Sequence, residues 1–258
     1  MNMKKPFKEK RHQIAHFPAQ HVAHKYLEEV FVMKVRLKFS KTGALKFIGH
    51  LDLMRTFQKI FRQAELPLAY SEGFNPHQIF SIAAPLSVGV TSDGEYLDMK
   101  LVQNMDTQII VDHINSCCPN GLKIEAAVII DDREPSAMAS VSAAKYSVIQ
   151  EECVLTKENI AEFALQDNII IKKKNKKGVI KDFNIKPGIY SLVVEENKII
   201  MTLATGSTFN VKPDAIFSAL CDFIGVSYNP FNYKVHREDL YHSDADFIPL
   251  LVPIEPVF

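Results

Sequence analysis

Arg55, Lys59 and Arg62 stand four and then three residues apart, the spacing that lines three side chains along one edge of a helix. Three cations held by a packed helix form a pre-organised anion site, suited to a phosphate backbone. The same spacing also serves a solvated helix face. Asp52 lies one turn before Arg55, where a carboxylate suits the helix dipole. The loop that follows, Tyr70 to His77 (YSEGFNPH), carries a turn signal at Asn75-Pro76 and a permissive residue at Gly73. His50 precedes the helix and His77 follows the turn. Each suits a capping or hydrogen-bonding role, or the two flank one pocket together with Asp52, Gly73 and Asn75. A second basic cluster, Lys172, Lys173, Lys174, Lys176 and Lys177, crowds one hairpin. It reads either as edge protection or as the far wall of a positive cleft between domains. Tyr70, Phe74 and Tyr233 supply rings on which bases could stack.

The four cysteines carry no comparable pattern. Cys117 and Cys118 are adjacent, and Cys153 and Cys221 are far away, so neither iron–sulfur nor zinc spacing is present. They read as reduced core residues, and no metal or cofactor is expected. No paired Asp, Glu or His constellation stands at short spacing, which argues against catalysis.

The basic helix spans 51–64, free of Gly and Pro, with Leu53, Phe57, Ile60 and Ala64 forming an apolar face. Before it, Val35, Leu37 and Phe39 alternate with Lys34, Arg36 and Lys38, the pattern of a half-buried strand. Short strands near 66–70 and 78–90, a strand at 95–102, a helix over 107–116 and a strand over 122–130 complete an order close to βαββαβ. Residues 131–144 (DDREPSAMASVSAA) are polar and small, and read as a linker. The second half repeats the theme. A strand over 146–153 leads to a helix capped by Thr156. Hairpins follow at 168–185 and 189–205. A helix over 212–224 has Pro213 in its first turn, and a strand over 231–240 closes the unit. The expected fold is α+β, with two tandem ferredoxin-like domains at 31–130 and 145–246.

Thirty basic and thirty acidic residues cancel, so no global field draws the chain to a polyanion and any such site must be local. A 47% hydrophobic, 23% charged composition is that of a globular protein. No apolar run reaches the ~18 residues of a membrane span, so a cytoplasmic protein without membrane contact is expected.

Four runs resemble an uncharacterised bacterial radical SAM-linked family. They are VRLKFSKTGALKFIGHLDLMRTFQKIFRQAELPLAYSEGFNPH, PLSVGVTSDGEYLDMKL, GSTFNVKPDAIFSAL and VHREDLY, spread from Val35 to Tyr241. Residues 1–30 match nothing in that family. The resemblance implies a radical S-adenosylmethionine protein as partner. The cysteine spacing excludes this chain as the radical enzyme itself.

Together these readings predict a non-catalytic RNA-binding or substrate-presenting accessory module acting in RNA modification or maturation. The alternatives are a metal-independent endoribonuclease of the CRISPR-transcript-processing type, by analogy of fold, and a protein–protein adaptor. Residues 1–30 read as a flexible basic extension, with too little apolar area to offset ordering. Residues 247–258 (FIPLLVPIEPVF) are apolar with three prolines. They read as an extended tail in a groove of the second half, or as a docking peptide.

Overall fold

The computed structural model describes residues 32–152, 155–174, 178–196, 198–242 and 246–252. The basic extension and the last six residues lie outside them. In chain order the elements are β1 (Met33–Lys41), α1 (His50–Gln63), β2 (Phe80–Ile82), β3 (Thr91–Leu101), α2 (Thr107–Cys117) and β4 (Leu122–Ile130). Then come α3 (Ala137–Ser140), β5 (Ala143–Gln150), α4 (Lys157–Ala164), β6 (Ile170–Lys174) and β7 (Ile180–Asn184). The chain continues through β8 (Ile189–Glu195), β9 (Lys198–Ala204), α5 (Pro213–Phe223) and β10 (Tyr233–Tyr241).

The strands form a mixed α+β architecture around one large, mostly antiparallel sheet, ordered β4-β1-β3-β10-β5-β9-β8. β2 pairs with β3, and β6 with β7 forms a separate hairpin. The first half contributes β4-β1-β3, locked by Leu37 opposite Leu97 on one side and Ala127 on the other. The second half contributes β10-β5-β9-β8, with Val235 opposite Val148 and Tyr146 opposite Met201. The halves meet through a short parallel pairing in which His236 faces Thr91 and Arg237 faces Ser92. Two separate sheets were expected from the βαββαβ reading. A two-residue parallel contact leaves no local pattern to predict it.

Helix positions follow from local chemistry. Leu53, Phe57, Ile60 and Phe61 bury one face of α1 against Val35, Leu37 and Phe39. The rings of Phe39, Phe57, Phe61 and Phe80 form a chain at 5.0, 5.5 and 5.3 Å between centroids. Asp106 caps α2 by accepting from the Gln108 amide at 2.8 Å. Thr156 and Asn159 close a capping box on α4. The second core gathers Phe163, Phe217, Leu220, Met201 and Leu203, and it draws Ala83, Ala84 and Tyr96 from the first half.

The polar side of β1 is not solvated. Arg36 is fully buried and all five of its N–H groups are used. Nε and one terminal nitrogen hold Asp98 at 2.7 and 3.1 Å, and that nitrogen also reaches the Pro135 carbonyl at 3.0 Å. The other holds Glu134 at 3.0 Å and the Leu250 carbonyl at 2.9 Å. Lys34 donates to the Glu134 carbonyl at 2.6 Å, and Lys38 pairs with Asp239 at 2.7 Å. Of residues 131–144, which were expected to be a linker, 143 and 144 belong to β5 and the rest pack tightly, with Glu134 and Ala137 buried. Their small side chains let them lie close over the sheet. At the seam, Arg237 holds Glu95 with Nε 2.7 Å from Oε1. Burial works against the Arg237 charge, and the Glu95 carboxylate together with Tyr146 more than offsets it. Burial also holds the Lys41 amine below its ordinary range, opposed by Glu95.

Residues 247–252 follow the intramolecular reading of the tail. Pro249 bridges to Tyr241, the Leu250 amide donates to Leu240 O, and Leu250 is fully buried. Leu250→Ala should therefore cost about 2–3 kcal/mol, near the low end for a buried leucine because a terminal segment can settle into the space. Urea unfolding checks this. An unchanged midpoint would show the segment to be dispensable.

Candidate functional site

The basic edge of α1 is exposed as expected. Arg55, Lys59 and Arg62 all face solvent, and Asp52 sits beside Arg55 in an exposed pair at 3.1 Å. An exposed pair of this kind is weak enough to open for a phosphate.

The loop after α1 is held at its neck. Tyr70 bridges to Gln78, the Ser71 amide donates to the His77 carbonyl, and the Ser71 hydroxyl meets His77 Nδ1 at 2.7 Å. Gly73 takes a φ of +107°, a conformation that L side chains resist, so the turn needs this residue. Asn75 is exposed, and Phe74 projects fully into solvent at the tip.

Helix and loop enclose an open cleft of about 180 Å³ lined by Gln58, Arg62, Tyr70, Pro76, His77 and Gln78. Arg62 Nε donates to the Gln58 carbonyl at 3.1 Å, which steadies the guanidinium at the rim. Gln78 is buried, and its side-chain oxygen has no hydrogen-bond partner among the described residues. No carboxylate lines this cleft.

The structure thus joins Arg62 to His77 and leaves His50 out. His50 opens α1, twelve residues before Arg62, or about 18 Å along the helix axis. His50 therefore does not line the cleft that His77 lines, against the expected shared pocket, and Asp52 shares the remote end of the helix. Gln58 and Gln78 are the residues that sequence reasoning missed. Gln58 stands four residues before Arg62, so helical spacing could have found it. Gln78 carries no charge and gave no signal.

The lysine hairpin lies elsewhere. Lys172, Lys173 and Lys174 are exposed on β6, while Lys176 and Lys177 fall outside the described residues. Lys173 sits over the Phe183 ring at 4.7 Å. Its cleft, about 310 Å³, is lined by Ile171, Phe183, Val211 and Lys212 among others, all from the second half. Among the described residues, the hairpin and α1 line different clefts. Tyr233 is buried at 9% exposure, stacked on Phe217 at 4.3 Å, so it offers no face to a base.

Cys117 and Cys118 are half-buried at the C-terminal end of α2, and Cys221 is buried. Burial, then the adjacent Cys117, pushes the Cys118 thiol up to about 11. Cys153 lies outside the described residues. Among the described residues no three His, Cys, Asp or Glu side chains gather as metal ligands. No helix among them is long and apolar enough to cross a membrane.

No curated protein matches the sequence. A solved chain in the "Crystal Structure of a Cbf5-Nop10-Gar1 Complex" is similar over 80% of this chain and 48% of its own, at 8% identity and a TM-score of 0.39. The present chain spans about half the length of that one, and so loose a likeness carries no argument. The family model described as "Uncharacterized protein conserved in bacteria (DUF2344)" matches residues 34–213. That is most of the described sheet and the whole of the α1 cleft, and the chain belongs to this family.

Proposed function

We propose that this chain is a non-catalytic RNA-binding or substrate-presenting accessory module that acts with a radical S-adenosylmethionine enzyme. The observation that carries the RNA reading is the run of Arg55, Lys59 and Arg62 along α1, ending in a cleft rimmed by an exposed tyrosine. Cations at the spacing of a helix edge suit a phosphate backbone, and an exposed ring beside them suits an unstacked base. His77 is the one imidazole lining the cleft, without a carboxylate beside it, which favours binding over cleavage. The radical partner rests on the resemblance of the four sequence runs. The strand orders β4-β1-β3-β2 and β10-β5-β9-β8 support reading the halves as tandem ferredoxin-like units.

Changing Arg55, Lys59 and Arg62 together to Gln should weaken binding to single-stranded RNA. It should also lower the slope of log affinity against log salt by about two units. Fluorescence anisotropy across a salt series checks this, and gel analysis of the same samples should show intact RNA. An unchanged slope with an intact fold would refute the phosphate role. Cleaved RNA would favour the nuclease.

A further inference from the structure

We propose that the cleft between α1 and the 70–78 loop is a base pocket selective for guanine in single-stranded RNA. This rests on the RNA-binding reading and adds to it a base preference that the basic edge alone does not supply.

A cleft of about 180 Å³ holds roughly six waters and falls below the ~300–1,000 Å³ of pockets for drug-sized ligands. It fits one ring system, not a whole nucleotide. Tyr70, 52% exposed, and Pro76 line the cleft and supply rings against which such a base could stack. Tyr70 is paired across the loop neck with Gln78, which places both on the cleft.

The hydrogen-bonding groups then select the base. Arg62 commits Nε to Gln58 O, and its terminal nitrogens remain as donors on the rim. Gln78 is 93% buried, and its Oε1 is an acceptor without a donor among the described residues. A buried unmet acceptor is costly, and the torsion carrying a terminal amide is soft. Were the terminal amide to rotate so that Oε1 met a ligand N–H, the ligand would relieve a cost already present in the free protein. The ring must therefore offer acceptors to Arg62 and N–H donors to Gln78. Guanine has O6 and N7 on one edge and N1–H with N2–H₂ on the next. O6 and N7 form the pair that arginine reads in a bidentate manner. Adenine has only N7 to offer the arginine on that edge, and its N6–H₂ would oppose the cation.

The test uses the full chain and fluorescein-labelled 12-mers: all-uridine, and the same strand with one central guanosine, adenosine, inosine or 7-deazaguanosine. The guanosine strand should bind roughly tenfold or more tightly than the all-uridine strand. 7-Deazaguanosine, lacking N7, should lose most of that gain, whereas inosine, which keeps O6, N7 and N1–H, should retain part of it. Gln78→Leu should remove the preference for the guanosine strand over the all-uridine strand. The ligand-side substitutions use unaltered protein and decide the matter even if that variant misfolds. Equal affinity for all strands would overturn the guanine pocket and leave the RNA-binding reading standing. Failure of every strand to bind would overturn both.

Discussion

Asp98→Ala is expected to lower stability by about 3–5 kcal/mol, because it strands a buried guanidinium. Arg36 has no solvent exposure, and Asp98 accepts two of its five N–H groups at 2.7 and 3.1 Å. The same carboxylate accepts the Ala137 amide at 2.7 Å, which anchors the start of α3. Removing it leaves three donors without partners in a region closed to water. Glu134 still faces the guanidinium and softens the loss, but its contact is to a different nitrogen. For a chain of this size the loss corresponds to a fall in melting temperature of roughly 6–20 °C. Asp239→Ala removes a less buried partner of Lys38 and should cost less. The informative comparison is a double-mutant cycle with Arg36→Met. The pair replaced together should recover much of the loss, since a buried ion pair contributes little beyond its apolar counterpart. A loss below about 1 kcal/mol for Asp98→Ala alone would show that water reaches Arg36.

Arg36 also marks where sequence reading stops. The alternation of β1 correctly identified Val35, Leu37 and Phe39 as core, and α1, α2, β4 and α5 fell within a residue or two of their observed bounds. Periodicity reports that two faces differ. It does not report whether the second face meets water. Here that face is covered by Glu134, Pro135 and Leu250, which are 98 to 214 residues away in the chain. The polar, small-residue composition of 131–144 suggested a linker for the same reason that it packs well: alanine and serine allow close approach. At the site, charge made Arg62 legible and turn chemistry made Gly73 and His77 legible. The neutral amides of Gln58 and Gln78 have no such signature, and His50 was placed by proximity in sequence to a helix whose length carries it away.

Gly94→Ala tests the seam that no local pattern foretold. A methyl group at Gly94 would lie 2.4 Å from the Glu238 carbonyl oxygen and 2.5 Å from Asp239 Cα. Both are backbone atoms of β10, so no flexible side chain can move aside, and the strand itself must withdraw from β3. The β3–β10 pairing covers only His236 with Thr91 and Arg237 with Ser92, immediately before a register shift between Arg237 and Asp239. The polar contacts across the seam depend on the same approach. Arg237 holds Glu95, and Asp239 accepts from Tyr96 at 2.6 Å and from Lys38 at 2.7 Å. A shift of β10 by a few tenths of an ångström stretches all of them together. The expected cost is about 3 kcal/mol, the upper end for overpacking, with a fall in melting temperature of roughly 6–12 °C. A second signature distinguishes the seam from an ordinary core defect. With the pairing loosened, the two cores should no longer unfold as one, and urea transitions followed by different probes should cease to coincide. Unaltered melting with coincident transitions would mean that β10 yields freely, and that the sheet's continuity contributes little to holding the halves together.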